Sequence, residues 1–403
     1  MELWMTEVPN DVLRRTREIR EDLHRHPELS YQEERTSRLV ADTLRDLGLD
    51  EVRTGVARTG VVGLLRGPAE GPTVALRADM DALPMTEETG LPYASENEGV
   101  MHACGHDGHT AILLAVARLL AERREELPGS VKFIFQPAEE NLAGGALMVE
   151  DGCLEDPRPD AIFALHGATG MKVGQIRVAE TPNVGMTNFR IDIQGKGGHG
   201  AVPDETVDPL LIGAHIVTAA QSIVSRETRP DQPVVLSFCS FQAGTTCNII
   251  PDTARLLGTT RATQMETLNR MRRSLERVAT SIARAMRGEA KLTEEETYPP
   301  VHNNPALLDL VREVGGELLG PENVLETEGQ RMTSEDFSFY LEEQGGVPGV
   351  IFGLGVGTDA GLHNPHFDFG SVALEPGIML LCNMALQFLQ RNGNDELQMA
   401  NDK

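Results

Sequence analysis

The spacing of hydrophobic residues in the first part of the chain predicts alternating helices and strands. Apolar positions at helical spacing indicate amphipathic helices over 11–25 and 32–47, and Pro27 ends the first of them. Short apolar runs further along indicate buried strands with helical segments between them, a pattern typical of an α/β fold with a mixed sheet. The predicted strands cover 60–65, 73–78, 131–135 and 160–165, and the predicted helices cover about 109–126 and 141–151.

After about residue 185 the pattern changes to strands that alternate apolar and polar residues. The predicted order there is β-α-β-β-α-β, which is the ferredoxin-like arrangement. We therefore predict a main α/β domain over 1–185 and 298–403, with a smaller α+β domain inserted over 186–297. The elements of the inserted domain are predicted at 188–193, 209–224, 234–241, 253–261, 265–286 and 290–296, and helices over 304–319 and 373–392 return to the main domain.

Composition limits the setting in which the protein works. The chain has 403 residues, enough for two domains, and 40% of them are hydrophobic. No continuous apolar run reaches the roughly 20 residues of a membrane span, and the N-terminal segment lacks a signal-peptide pattern. The five cysteines are scattered and odd in number, which argues for a reducing compartment. We expect a cytoplasmic protein.

The chain carries a net charge of −25, which argues against a general nucleic-acid binder because no basic stripe exists to neutralise phosphates. Arginine supplies most of the positive charge, since only five residues are lysine. A carboxylate-rich surface poor in lysine suits high salt and so favours a halophilic source. An ordinary acidic enzyme from a GC-rich genome explains the composition equally well.

The stretch 101–110 carries the strongest chemical signal. It places Cys104, His106 and His109 within six residues, with Gly105 and Gly108 between them, directly before an apolar helix. A loop that enters a helix N-terminus favours an anionic ligand such as a thiolate. Cysteine, histidine and carboxylates are the usual ligands of zinc and of related transition metals. The alternative interpretation is a buried cysteine beside surface histidines.

Further candidates lie at predicted strand ends or in loops elsewhere in the chain. The adjacent carboxylates Glu139 and Glu140 come directly after a buried strand, where they are costly unless paired or bound to metal. One can bind metal while the other faces a water molecule, as metal-assisted hydrolysis requires. His166 and His363 are further candidates, although a single histidine after a strand is more often structural. His24 and His26 are interpreted as residues that stabilise a helix C-terminus.

Eight short motifs resemble those of one enzyme family, in the same order along the chain. The family is the amidohydrolase branch of the aminoacylase/carboxypeptidase metalloenzymes, which includes hippurate hydrolases, N-acyl-amino-acid amidohydrolases and plant hydrolases of indole-acetyl-amino-acid conjugates. The resemblance runs from about His24 to Phe367. The motifs lie at 77–84, 102–110, 135–140, 197–201, 248–251, 258–261, 334–337 and 362–363.

The resemblance implies an α/β/α catalytic domain of the zinc-peptidase type and a ferredoxin-like lid. It also implies two divalent metal ions per subunit, with zinc, manganese, cobalt or nickel all remaining open. Glu139 would be the general base and Asp81 would orient a ligand, whereas His109 would be structural or would support a ligand. The implied metal ligands are Cys104, His106, Glu140, His166 and His363.

In the inserted domain the resemblance implies contacts with the substrate. His199 would donate a hydrogen bond to the developing oxyanion, in several relatives from the partner subunit. Asn248 and Arg261 would hold the free carboxylate of the substrate, a task that suits arginine. The chain departs from the family at Asp204, where histidine is common, and at Asn141, where a glycine run is common. Both departures leave the substrate choice open.

The activity that the resemblance implies is hydrolysis of the amide bond of an N-acyl amino acid. A water whose pKa is lowered by metal would lose its proton to Glu139, attack the carbonyl, and release a carboxylic acid and an amino acid. The alternatives are a dipeptidase or carboxypeptidase with the same site and, more distantly, a non-catalytic metal-binding protein. We expect a small-molecule substrate, no nucleic-acid or membrane partner, and a homodimer or homotetramer formed through the inserted domain.

Overall fold

The computed structural model describes residues 3–327, 332–341 and 344–401, with side chains described as far as 393. These residues form two compact units. The first contains the described parts of Met1–Pro182, His302–Gly329 and Asp336–Lys403, and the second contains the described parts of Asn183–Val301 and Gln330–Glu335. The segment predicted as an insertion, 186–297, falls inside the second unit. The lid and dimerisation roles predicted for it stay predictions.

Helices and strands alternate through most of the chain. The helices are α1 (Asn10–Arg25), α2 (Glu34–Asp46), α3 (His106–Glu122), α4 (Gly144–Glu150), α5 (Pro209–Glu227), α6 (Met265–Ala285), α7 (Pro305–Leu319) and α8 (Leu374–Asn401). The strands are β1 (Glu51–Val56), β2 (Gly60–Arg66), β3 (Thr73–Asp79), β4 (Ser130–Gln136), β5 (Ala161–Ala168), β6 (Ile176–Val178), β7 (Gly185–Gln194), β8 (Gly198–His199), β9 (Val234–Ala243), β10 (Ile249–Ile250), β11 (Thr253–Ala262), β12 (Glu289–Tyr298), β13 (Val324–Glu326) and β14 (Gly349–Gly355).

The first unit is built on one mixed sheet with the strand order β1-β2-β4-β3-β5-β14-β6-β13. The inner strands β4, β3, β5 and β14 run parallel, and β2 pairs antiparallel with β4. The predicted α/β class and mixed sheet are thereby confirmed. Strand β14 was not predicted, although it is largely buried, because its glycines at 349, 353 and 355 weaken the strand pattern.

The last helix is longer and more apolar than the sequence analysis expected of any segment. By length and composition the segment Ser371–Gly393 could cross a bilayer, with a mean hydropathy of 1.5. However, 83% of its most apolar stretch is buried inside the protein, where α8 contacts α3, α7 and β3. The helix itself was predicted, but polar residues such as Asn383 interrupt its apolar run. The Asn383 side chain donates to the backbone oxygens of Met5 and Met379. We interpret it as a helix of the core.

The second unit is a four-stranded antiparallel sheet in the order β12-β7-β11-β9, with α5 and α6 packed on one face. Its chain order β7-α5-β9-β11-α6-β12 confirms the predicted ferredoxin-like arrangement. The buried residues alternate along β7 and β11, as expected for a sheet with one covered face. The same unit also contains a short two-stranded ribbon of β8 and β10. It carries the predicted site residue His199, and the predicted residue Asn248 directly precedes β10.

The sheet of the first unit brings the candidate residues together. Because β4, β3 and β5 are parallel neighbours, their carboxyl ends meet at one edge. The loop after β3 carries Asp81, and the turn after β4 carries Glu139 and Glu140. His166 was expected just past its strand but lies within β5, level with Gly353 of β14.

Candidate metal centre

The thiol and imidazole of the central motif lie where the backbone turns into α3. Gly105 precedes the helix with φ of 90°, a conformation that favours glycine. A Cβ at Gly108 would lie 2.6 Å from the ring of Phe369, so only glycine lets this ring pack against the first turn. Cys104 and His106 are both buried, with side chains directed to the same cluster.

Six predicted residues form one cluster in the first unit. They form three overlapping triplets, and within each triplet the three ligand atoms lie within 4.8 Å of one another. Cys104 belongs to two of the triplets, and the Sγ of Cys104 is 3.5 Å from Nε2 of His166. Nε2 of His363 is 3.2 Å from Oε2 of Glu140. The triplets are Cys104, His106 and His166; Cys104, Glu140 and His363; and His106, Glu139 and Glu140.

Asp81 orients both the histidine and the carboxylate pair. Nδ1 of His106 is 2.9 Å from the backbone oxygen of Asp81 and 3.2 Å from its Oδ1. The backbone N–H of Glu139 donates to Oδ1 at 3.0 Å, and that of Glu140 donates to Oδ2 at 3.2 Å. The unused nitrogen of His106 is therefore Nε2, which is the pattern of a metal-ligating histidine held by a carboxylate.

His109 differs from His106 because both of its nitrogens have partners. Nδ1 is 2.6 Å from Oδ1 of Asp79, and Nε2 accepts from the backbone N–H of Gly167 at 2.8 Å. His109 thus connects α3 to the residue that follows His166. Although Asp79, His106 and His109 form another close triplet, we keep His109 out of the ligand set because neither of its nitrogens has a free lone pair directed at an ion.

The charges around His106 and His166 push their pKa values in opposite directions. Burial alone lowers the pKa of His106, but Asp79, Asp81 and Glu140 outweigh it and raise the pKa to about 10. Burial lowers the pKa of His166 to about 4, and Asp79 offsets this only in part. The surroundings of His106 therefore favour a positive charge, which either a proton or a bound cation can supply. The lowered pKa of His166 favours the neutral ring that metal binding requires.

The buried surroundings of Cys104 act against the helix N-terminus. The position before a helix N-terminus predicted a stabilised thiolate, but burial and the nearby Glu140 and Glu139 raise the pKa of the Cys104 thiol well above its usual value. Burial and like charges outweigh the partial charge of the helix terminus. A cation bound in the cluster would oppose this shift and favour the thiolate.

Two buried polar atoms show that the cluster fits a metal ion. Nε2 of His106 and Oε1 of Glu140 have no hydrogen-bond partner among the described residues. The two atoms face each other at 3.9 Å. Two ligand atoms of one tetrahedral zinc ion lie about 3.4 Å apart, so a small relaxation would let both bind the same ion. Nitrogen, sulfur and carboxylate donors together suit transition metals rather than calcium or magnesium.

The three predicted residues of the inserted segment lie in the second unit. His199 is exposed on β8 and pairs with Ile249 of β10. The backbone N–H of Gly200 donates to the backbone oxygen of Asn248 at 2.9 Å, so His199 and Asn248 are neighbours. Arg261 lies on β11, and its guanidinium donates to the hydroxyl of Ser334 within the same unit.

Two buried networks were not predicted from the sequence. In one, Nη1 of Arg77 donates to Asp79 at 2.7 Å and Nη2 donates to Asp336 at 3.0 Å. In the other, the His24 and Arg20 side chains contact Oδ2 of Asp107 at 2.7 and 2.9 Å. The charged residues Arg77, Asp79 and Asp336 all lie in the family motifs, and this was the feature of the sequence that could have indicated the first network. His24 was expected to stabilise a helix end, and it is in fact paired with α3.

Comparison with known proteins identifies the group to which these features belong. A model of peptidase family M20/M25/M40 matches residues 75–387. The chain is 38% identical over 373 residues to an N-acetylcysteine deacetylase of Bacillus subtilis strain 168, covering 92% of this chain and 96% of the relative. It is 40% identical over 343 residues to thermostable carboxypeptidase 1 of Saccharolobus solfataricus, covering 84% and 85%.

A solved structure shares both the fold and much of the sequence. It is a dinuclear metal-binding peptidase of the M20 family from Bacillus subtilis, with a TM-score of 0.81 and 34% identity. The alignment covers 95% of this chain and 99% of that protein. The similarity therefore extends through both units.

Proposed function

Because the chain belongs to peptidase family M20/M25/M40, we propose that it is a metal-dependent amidohydrolase that cleaves N-acyl amino acids. The products are a carboxylic acid and a free amino acid. The observation that carries the proposal is the cluster of three ligand triplets, in which each pair of triplets has one residue in common: Cys104, His106 or Glu140. The similarity to an N-acetylcysteine deacetylase along nearly the whole chain supports this substrate class.

We assign two divalent ions to this cluster, as in the dinuclear peptidase of the same fold. Cys104 belongs to two triplets and so is suited to contact both ions. The mixture of thiolate, imidazole and carboxylate donors leaves zinc, manganese, cobalt and nickel open. The proposed ligands are Cys104, His106, Glu140, His166 and His363.

The ions would polarise the substrate carbonyl and lower the pKa of the attacking water. Glu139 is the proposed general base, since it is buried beside the ligand Glu140 and 4.0 Å from Nε2 of His106. It accepts a proton from the water as the new C–O bond forms. It then returns this proton to the amine nitrogen as the C–N bond breaks. Asp81 keeps the Glu139 backbone and the His106 ring in place during both steps.

Residues of the second unit are proposed to recognise the substrate. His199 would donate a hydrogen bond to the oxyanion that develops on the carbonyl. Asn248 and Arg261 would hold the free carboxylate of the substrate. The contact of the Arg261 guanidinium with the hydroxyl oxygen of Ser334 supports this role. Asp204 and Asn141 are exposed, which allows either to influence the choice of acyl group.

A carboxypeptidase or dipeptidase is the second candidate, because the chain is also 40% identical to a thermostable carboxypeptidase. The same water attack would then cleave a peptide bond. A non-catalytic metal-binding protein would not need to keep a buried second carboxylate beside the ligands.

We also propose that the protein forms a homodimer, or a homotetramer built from it, through the second unit. Its edge strand β9 has an unpaired side. Among the described residues, five of the seven large hydrophobic side chains that are exposed lie in this unit. A monomeric mass by light scattering would contradict this proposal. The five residues are Val202, Leu210, Leu211, Phe241 and Ile249.

The proposed setting is the cytoplasm, and it is supported by the free thiols of all five cysteines. A halophilic source remains one explanation of the net charge of −25. A melting temperature that does not rise in molar potassium chloride would remove that explanation.

The deciding experiment is hydrolysis of a substrate panel after chelation and re-addition of zinc, manganese, cobalt or nickel. The panel contains N-acetyl, N-benzoyl and indole-acetyl amino acids beside dipeptides. Metal-dependent release of amino acid from an acyl compound supports the proposal. Cleavage of dipeptides alone favours the peptidase, and inactivity with tight metal binding favours the non-catalytic protein.

A further inference from the structure

The turn that carries the two catalytic-site carboxylates is strained. Ala138, directly before Glu139, has φ of 54°, and it is not a glycine. The turn is also tightly folded, since the N–H of Gly144 donates to the oxygen of Ala138 at 3.0 Å. A Cβ at Gly144 would lie 1.8 Å from the oxygen of Pro137. A left-handed alanine persists only where surrounding contacts hold it.

Three successive backbone N–H groups of this turn are held by buried carboxylates. Asp81 accepts from Glu139 and Glu140, as described above. The third N–H, that of Ala138, donates to Oε1 of Glu33 at 3.0 Å. Glu33 lies at the start of α2 in another part of the chain, and it belongs to no ligand triplet among the described residues.

The surroundings of Glu33 show that it is built into this position. Its side chain is fully buried, whereas its neighbour Glu34 is exposed. Its second oxygen accepts from the hydroxyl of Thr59 at 2.6 Å, so both carboxylate oxygens have a donor. A buried carboxylate is costly and needs such partners. Burial indeed raises the pKa of Glu33 to about 7, against the opposing effect of the Thr59 hydrogen bond.

We propose that Glu33 is a positioning residue for Glu139: by accepting the Ala138 N–H it holds the left-handed turn in the geometry that aims the general base at the attacking water. The proposal rests on the function proposed above. Asp81 fixes the turn from the side of the ligands, and Glu33 fixes it one residue earlier from the side of α2. Loss of Glu33 should therefore move the base more than the ligands.

Two substitutions of nearly equal length separate the hydrogen bond from the bulk of the side chain. In Glu33→Gln the amide oxygen can still accept from Ala138, whereas Glu33→Met offers no acceptor. We expect Glu33→Met to lower kcat about 10- to 100-fold, with KM and bound metal per chain unchanged within about twofold. Glu33→Gln should keep kcat close to that of the wild type. Glu34→Met is the matched control at an exposed neighbouring position.

A second readout does not depend on activity. Hydrogen exchange of the Ala138 amide should be slow in the wild type and in Glu33→Gln, and fast in Glu33→Met. If Glu33→Met fails to fold, Glu33→Asp replaces it, because the shorter carboxylate does not reach Ala138 and the same losses are expected.

Wild-type kcat and slow Ala138 exchange in Glu33→Met would overturn the proposal. Equal losses in Glu33→Gln and Glu33→Met, or a kcat loss matched by metal loss, would also overturn it. If the wild-type protein cleaves no N-acyl amino acid, the proposed function fails, and the exchange measurement still tests the hold of Glu33 on the turn. If Glu139→Gln stays active, Glu139 is not the base, and the proposal that Glu33 positions it for catalysis fails with that assignment.

Discussion

Nδ1 of His106 lies 2.9 Å from the backbone oxygen of Asp81, and this contact leaves Nε2 directed toward Glu140. The same aspartate binds the backbone of both carboxylate residues that follow β4. Asp81 therefore links the ligand on α3 to the turn after β4. One side chain sets the orientation of a proposed ligand and of the proposed base.

Replacement of Asp81 should weaken metal binding. In Asp81→Asn one carboxylate oxygen becomes an NH₂ group, so the side chain can accept from only one of the backbone N–H groups of Glu139 and Glu140, and it loses the negative charge that supports His106. We expect metal affinity to fall about 10- to 100-fold, as for other residues that support ligands. Competition with a fluorescent chelator measures this. Ser30→Ala is the control, since it removes only the hydroxyl that donates to Asp81 at 2.7 Å; an equal loss there would show that the carboxylate itself is not decisive.

Replacement of Glu139 should separate metal binding from turnover. Glu139→Gln keeps the size of the side chain but cannot accept the proton of water. We expect kcat to fall by about 10²- to 10⁴-fold, which is the usual contribution of a general base. Metal content, measured by atomic emission, should equal that of the wild type. Activity within a few-fold of the wild type would remove Glu139 from the mechanism.

Removal of metal should lower the thermal stability of the protein. Four carboxylates, those of Asp79, Asp81, Glu139 and Glu140, surround His106 within the cluster or beside it. A divalent ion relieves their repulsion, and at 1,000 times its Kd it stabilises the fold by about 4 kcal/mol. Scanning calorimetry should show Tm rising when zinc is added back to the chelated protein. Cys104→Ala removes a ligand shared by two triplets, and it should reduce this rise; an equal rise in that variant would contradict the assignment.

The buried His24 should make stability depend on pH. Burial and the nearby Arg20 lower the pKa of His24. Asp107 and Glu87 outweigh both effects and raise the pKa to about 9. His102 also faces this ring. A pKa above the unfolded value of about 6.5 means that the proton stabilises the folded state. The contribution is fully present below about pH 6.5 and is lost as the pH rises through about 9.

Urea unfolding of the chelated protein measures this contribution. The free energy of unfolding of the wild type should exceed that of His24→Gln by a few kcal/mol at pH 6. The difference should shrink by pH 9.5. A difference that is constant with pH would mean that His24 contributes through packing alone. His26→Gln, at a half-buried neighbouring position, serves as the control.

The local pattern of the sequence determined much of this protein. Periodicity located α1 and α6 within a residue or so, and it gave the ferredoxin-like order of the second unit. Ligand chemistry singled out Cys104 and the pair Glu139 and Glu140, because a thiol among histidines and buried adjacent carboxylates are typical of metal sites, and the family resemblance added His363. These properties depend on residues that are neighbours in sequence, so they survive without knowledge of the fold.

Only the tertiary structure decided how these residues are held. The contact between Glu33 and Ala138 spans 105 positions, and that between His24 and Asp107 spans 83. Such pairs depend on strand order and on the packing of α1 and α2 against α3, which no local pattern encodes. The raised pKa of the Cys104 thiol likewise depends on burial and on the carboxylates of the turn after β4. The sequence thus determined which groups are present, and the packing of distant segments decided their orientation and charge.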